Sequence, residues 1–136
     1  MKEKLKNNIL MHSCNVEAGF PSPAENYIEK ELNLHDYLVR NPEATFLVRA
    51  TGESMIDVGI LPGDILVVDR SLDISNNSIV IASVNGDLTV KKFIKKNESK
   101  CSYLKSENSK QQLIRLDKES DIEIWGIVIY SIHALR

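Results

Sequence analysis

The sequence predicts a mostly β domain of antiparallel sheets, with a short helix and an extended amino-terminal arm. Three observations support this class. Apolar, β-branched runs recur between turn signals, two of these runs flank Asn85-Gly86, and the helical pattern stops at Asn41-Pro42. Asn-Gly between β-rich runs is the strongest short-range signal for a hairpin. The length of 136 residues suits a single domain.

The amino-terminal part is expected to hold an arm followed by a little helix. Residues 1–21 lack sustained periodicity, so we expect a flexible arm there and one domain over residues 22–136. A helix is expected to start with Ser22 as N-cap and Pro23 at its first position, and its apolar spacing runs to Leu32. Asn33 is a candidate cap for a second short helical turn.

After Pro42 the pattern is that of strands joined by turns. Leu61-Pro62-Gly63-Asp64 predicts a type II turn, because proline suits its second position and glycine the third, where φ is positive. The expected strands are Thr45–Ala50, Ile65–Asp69, Ser78–Val84, Leu88–Ile94, Ser102–Leu104, Leu113–Leu116 and Ile122–Ile132.

Composition narrows the function classes. The 17 basic and 19 acidic side chains give no strong electrostatic case for direct binding to nucleic acid, and the lysine-rich run over residues 95–118 is typical of a solvated hairpin edge. Cys14 and Cys101 lack zinc-ligand spacing, so no metal or cofactor is expected. No apolar stretch approaches about 18 residues, which favours a cytoplasmic protein without a membrane anchor.

A serine and a lysine are the candidates for chemistry. Ser54 lies between Gly52 and Gly59 in a short segment that is not a strand, where backbone N–H groups can stabilise an oxyanion. A buried lysine can lose its charge and deprotonate a serine. Judged by apolar neighbours, Lys92 rather than Lys91 would be the buried one, so periodicity leaves the choice open. The alternatives are a turn serine and lysines that extend to solvent.

Other residues are weaker candidates. His12, His35 and His133 lie in no motif, so a histidine-based triad is disfavoured and surface or packing roles are expected. Near the amino end, Ala18-Gly19 offers a peptide bond between small residues, in a segment that cannot form a regular helix. One chain could therefore carry both a protease site and its substrate.

Several motifs in a fixed order resemble the LexA/UmuD family of self-cleaving serine peptidases. The resemblance extends from Gly19 to Arg136. It rests on Gly19–Ala24, Gly52–Asp57, Gly63-Asp64, Thr89–Lys92, Trp125–Ile129 and Ala134–Arg136.

The resemblance implies a role for each matching residue. Ser54 would be the nucleophile, Lys91 rather than Lys92 the general base, and Ala18-Gly19 the bond cut, with the backbone N–H of Met55 at the oxyanion. It also implies curved antiparallel sheets and a homodimer.

The partners implied by the resemblance belong to the SOS response. A RecA–single-stranded-DNA filament would stimulate self-cleavage, and the product would join a UmuC-like Y-family polymerase in translesion synthesis, without sequence-specific DNA binding of its own. The alternative is a non-catalytic, dimeric polymerase-binding module with a vestigial site.

Overall fold

The computed structural model describes residues 7–12, 18–19, 29–96, 101–116 and 121–136. It confirms the mostly β class, since within these residues antiparallel sheet is joined only by one five-residue α-helix and two short 3-10 helices. The chain forms two compact units, residues 1–40 and residues 41–136. The second unit is larger and contains both Ser54 and Lys91.

The first unit is built on a two-stranded sheet. Strand β1 (Asn8–His12) pairs antiparallel with β2 (Glu29–Asn33), in a register that sets Ile9 opposite Leu32. Helix α1 (Leu34–Leu38) follows, and the Asn33 side chain accepts a hydrogen bond from the Asp36 N–H at 3.1 Å. The cap predicted at Asn33 is therefore confirmed.

The helix expected from Ser22 to Leu32 is wrong at its carboxyl end. Leu32 lies in strand β2 because it pairs with β1, a partner some twenty positions away that local apolar spacing cannot reveal. Part of the expected arm is likewise a strand, at Asn8–His12. Residues 22–28 of the expected helix lie outside the described residues, as does Cys14.

The second unit is a seven-stranded antiparallel sheet with the order β3-β4-β9-β5-β6-β7-β8. Short 3-10 helices at Pro42–Ala44 and Ile56–Val58 precede and follow the first of these strands. The strands are β3 (Thr45–Arg49), β4 (Ile65–Asp69), β5 (Ile79–Val84), β6 (Asp87–Lys95), β7 (Ser102–Lys105), β8 (Leu113–Leu116) and β9 (Ile122–Ile132). Every strand expected after Pro42 is confirmed.

Both predicted turns have the geometry that their residues favour. Gly63 adopts a φ of 92°, and the Asp64 N–H donates to the Leu61 carbonyl at 3.1 Å, which closes the turn before β4. Asn85 and Gly86 have φ values of 50° and 88°, the two positive angles of a type I′ hairpin between β5 and β6.

Strand β9 bends the centre of the sheet. Its register shifts against β4 at Val67/Val68 and against β5 at Ile81/Ala82. Such bulges bend a strand and increase its twist. Gly126 lies between the two shifts, where a Cβ atom would come within 2.8 Å of Val68 Cγ1, so a larger residue would force the strands apart.

Two apolar clusters form the core of this unit, and β5 contributes to both. Ile81 packs in the first cluster, with Ala50, Met55, Ile60, Leu66 and Val68. Its neighbours Val80 and Ala82 point to the opposite face and pack in the second, with Leu104 and Ile127. Among the described residues, no helix is long and apolar enough to cross a bilayer.

Candidate active site

Ser54 lies in a tight turn between β3 and β4. Positive φ angles at Gly52 (78°) and Gly59 (87°) let the backbone enter and leave this turn. The next residue, Met55, buries its side chain in the first core cluster, while its carbonyl accepts hydrogen bonds from Val58 and Ile60, each at 3.2 Å. The turn is thus anchored one residue after the candidate nucleophile.

Two backbone donors in this turn are available. Among the described residues, neither the Ser54 N–H nor the Met55 N–H donates a hydrogen bond to a protein acceptor. Adjacent free N–H groups beside a hydroxyl are the donors that an oxyanion requires. The backbone N–H of Met55, expected to serve the oxyanion, is therefore free to do so.

Lys91 is the more buried of the two lysines on β6. It stands opposite Val80 and keeps only 9% of its accessible surface. Its side-chain amine makes no hydrogen bond or ion pair with another described residue. Burial lowers the pKa of the Lys91 amine, because the charged form loses hydration without gaining a partner.

Lys92 occupies a different environment. It stands opposite Ile79 on one side and Lys105 on the other, and its amine lies 3.6 Å from Glu107 Oε1. The suggestion from apolar neighbours that Lys92 would be the buried lysine is therefore wrong. The reason is that Lys91 stands opposite Val80, a fully buried member of the second core cluster, whereas the Lys92 amine lies beside the carboxylate of Glu107.

A cavity of about 170 Å³ lies between the Ser54 turn and β6. Ser54 opens onto it, and Thr89 and Val90, the two residues before Lys91, form part of its wall. The remaining lining includes Val48, Ala50, Thr51, Leu66, Ile81 and Leu88. The Ser54 hydroxyl and the Lys91 amine are not hydrogen-bonded to each other. Catalytic hydrogen bonds are often long in a free enzyme and tighten when substrate binds.

The other residues singled out in the sequence are also placed. Ala18 and Gly19 belong to the first unit and are both exposed. His12 lies in β1, His35 is exposed on α1, and His133 bonds to the carboxylate of Asp64. No group of three or more His, Cys, Asp or Glu side chains able to hold a metal occurs in the described parts of the chain.

Sequence reasoning missed two residues near the site, Glu107 and Asn108. The Glu107 carbonyl accepts a hydrogen bond from the Asp57 N–H at 2.8 Å, and the Asn108 amide contacts the Glu53 carbonyl. Neither residue has a local signal, because the partners lie about fifty positions earlier in the chain.

Comparison with known proteins agrees with this architecture. The family model described as Peptidase S24-like matches residues 9–129. Protein MucA of Salmonella typhimurium is 45% identical over 117 residues, which cover 86% of this chain and 79% of MucA. Protein ImpA of the same species is 41% identical over 120 residues, 88% of this chain and 80% of ImpA.

A longer relative shares the same region. The LexA repressor of Colwellia psychrerythraea is 38% identical over 122 residues, which cover 89% of this chain and 56% of the repressor. The chain therefore belongs to the Peptidase S24-like family and is a UmuD-like member of the LexA-type self-cleaving serine peptidases.

Proposed function

We propose that Ser54 and Lys91 form a catalytic dyad that cuts the Ala18–Gly19 bond of this protein. The observation that carries the proposal is the burial of Lys91 without an acidic partner, on the strand that borders the Ser54 cavity. Desolvation favours the neutral amine, which is the form able to accept a proton from a hydroxyl. The cavity of about 170 Å³ has ample room for the side chain of Ala18.

The proposed reaction proceeds in two steps. In the first, Lys91 takes the proton of the Ser54 hydroxyl while Oγ bonds to the Ala18 carbonyl carbon. The N–H groups of Ser54 and Met55 stabilise the resulting oxyanion. The bond to Gly19 then breaks, and Lys91 returns the proton to the leaving amine.

The second step releases the remaining product. Water attacks the ester between Ser54 and Ala18, and Lys91 accepts the proton of that water. As the ester bond breaks, Lys91 gives this proton to Ser54 Oγ, which regenerates the serine hydroxyl and the neutral amine. The products are residues 1–18 and a shortened chain from Gly19 to Arg136.

In the cell, we propose, this reaction belongs to the SOS response to DNA damage. A RecA–single-stranded-DNA filament would promote it, and the shortened chain, as a homodimer in the cytoplasm, would serve a UmuC-like Y-family polymerase in translesion synthesis. Support comes from the family and from the relatives MucA and ImpA, which match most of this chain.

The test is self-cleavage of purified protein with RecA, single-stranded DNA and a nucleotide analogue, followed by mass measurement. Loss of residues 1–18 is expected. Ser54→Ala and Lys91→Ala should each lower the rate by several orders of magnitude, since the members of such a dyad act as a unit. Lys95→Ala is the matched control, because Lys95 is exposed on the same strand.

Two outcomes would contradict the proposal. An unchanged mass under all conditions would favour the non-catalytic polymerase-binding module. Cleavage that survives Lys91→Ala but stops with Lys92→Ala would move the general base to the other lysine.

A further inference from the structure

The segment after β7, residues 106–112, is held together by its own hydrogen bonds and contacts the Ser54 turn near its start. The Ser106 N–H donates to the Gln112 carbonyl at 2.9 Å, which closes the segment into a loop. Within it, Asn108 Oδ1 accepts from the N–H groups of Lys110 (3.1 Å) and Gln111 (3.2 Å). The side-chain oxygen of Asn108 therefore stabilises the loop to which Asn108 belongs.

This loop contacts the Ser54 turn on both sides of the serine. After it in sequence, the Asp57 N–H donates to the Glu107 carbonyl at 2.8 Å, a short and well-formed bond. Before the serine in sequence, Asn108 Nδ2 donates to the Glu53 carbonyl at 3.4 Å, a long distance for a hydrogen bond. Two consecutive residues, Glu107 and Asn108, thus form hydrogen bonds to the turn on either side of Ser54.

The same loop is also tied to the strand that carries Lys91. The Glu107 carboxylate is largely buried, with 14% of its side chain exposed, and lies 3.6 Å from the amine of Lys92 and 3.5 Å from that of Lys105. Lys92 and Lys105 face each other across β6 and β7. Glu107 offsets both positive charges at the position next to Lys91.

We propose that Glu107 and Asn108 are positioning residues for the dyad, holding the Ser54 turn in register with β6. This rests on the proposed function of Ser54 and Lys91. The nucleophile and the base lie on different elements, the turn and β6, and this one short loop contacts both elements. A displacement of the reacting groups by about 1 Å can cost roughly 100-fold in rate. The loop therefore affects the rate by holding the two elements in place, without contacting the substrate.

The experiment measures spontaneous, alkaline self-cleavage of the full chain across a range of pH. Asn108→Asp is nearly isosteric and keeps the acceptor for Lys110 and Gln111, but it cannot donate to Glu53. Asn108→Ala removes both functions. We expect Asn108→Ala to lower the rate by about 10- to 100-fold, without moving the pH midpoint, and Asn108→Asp to lower it similarly. Ser109→Ala, at an exposed position of the same loop, should retain the original rate.

Glu107→Gln gives a second readout, one that loss of packing alone would not produce. Without the carboxylate, the ammonium groups of Lys92 and Lys105 are uncompensated beside β6, and they disfavour a third charge on Lys91. The plateau rate at high pH is expected to fall, and the pH midpoint of cleavage is expected to move to lower pH than in the original protein.

The outcomes separate this inference from the proposed function. If Ser54→Ala still releases residues 1–18, the dyad itself is wrong. If Ser54→Ala is inactive but both Asn108 variants and Glu107→Gln cleave at the original rate with the original midpoint, only the positioning role is overturned. Thermal unfolding of each variant identifies any that fails to fold. If Asn108→Ala does so, Asn108→Asp and Glu107→Gln decide the question.

Discussion

Burial of Lys91 sets the protonation state on which the proposed reaction depends. Its face of β6 is covered by apolar neighbours, so the ammonium form loses hydration and the pKa of the amine falls. Below the lowered pKa most molecules carry a charged lysine that cannot accept the serine proton. Above it the neutral amine predominates, and further deprotonation adds nothing.

Spontaneous self-cleavage should therefore accelerate as pH rises and then reach a plateau. The midpoint should lie below the value of about 10.4 that is ordinary for lysine. Initial rates of loss of residues 1–18, followed by mass from about pH 6 to pH 11, would measure it. A rate that is flat over this interval would argue against Lys91 as the general base.

The choice between Lys91 and Lys92 shows where reading a single sequence reaches its limit. Alternation along β6 separates the two lysines onto opposite faces, but it does not say what covers each face. That depends on Val80 of β5 and on Glu107 beyond β7, which are brought to β6 only by folding. The resemblance to a known family favoured Lys91, and the burial pattern agrees with that choice.

At the scale of elements, a buried carboxylate joins the turn before β4 to the end of β9. Asp64 is 1% exposed and accepts from the Leu61 N–H at 2.9 Å, the Ser131 hydroxyl at 3.0 Å and His133 Nδ1 at 2.5 Å. The Leu61 N–H contributes most, with His133 and Ser131, to holding the pKa of Asp64 below its usual range, against the opposing effect of burial. The bonds from Ser131 and His133 connect Asp64 to residues nearly seventy positions away.

This cluster should make stability depend on acid pH. Because the pKa of Asp64 is lowered on folding, its contribution is fully present above the ordinary carboxyl pKa of about 3.9 and is lost as pH falls through the lowered value. Asp64→Asn should therefore lower the melting temperature clearly at neutral pH, and the difference should shrink in strong acid. Scanning calorimetry at several pH values measures this.

The control for that prediction is His35→Ala, since His35 is an exposed histidine on α1. His133→Ala removes one of the three partners and should fall between the original protein and Asp64→Asn. Equal melting temperatures for Asp64→Asn and the original protein at neutral pH would show that the cluster does not stabilise the fold.

Elements defined by local chemistry were predictable from sequence, and those defined by distant partners were not. Pro62-Gly63 and Asn85-Gly86 determine their turns through their own backbone preferences, so the strands beside them were predicted nearly to their ends. Strand β2 was mistaken for helix because its pairing with β1 is not visible in its own residues. The contacts of Glu107 and Asn108 were not predicted either, because their partners Asp57 and Glu53 lie about fifty positions earlier in the chain.

For the whole molecule, both apolar clusters and the complete seven-stranded sheet belong to residues 41–136. Residues 1–40 contribute a separate two-stranded sheet and contain the bond that is proposed to be cut. The proposed dyad and the bond proposed to be cut thus lie on different compact units of one chain.

This division predicts that a chain starting at Asn41 folds by itself. It retains every strand of the large sheet and every residue of both clusters, so we expect a single cooperative thermal transition and a near-ultraviolet circular dichroism signal from Trp125. As a control, a chain ending at Lys105, which lacks β8 and β9, should not fold. The reason is that β9 pairs with both β4 and β5 at the centre of the sheet. A broad, non-cooperative transition for residues 41–136 would mean that the first unit is required for the fold of the second.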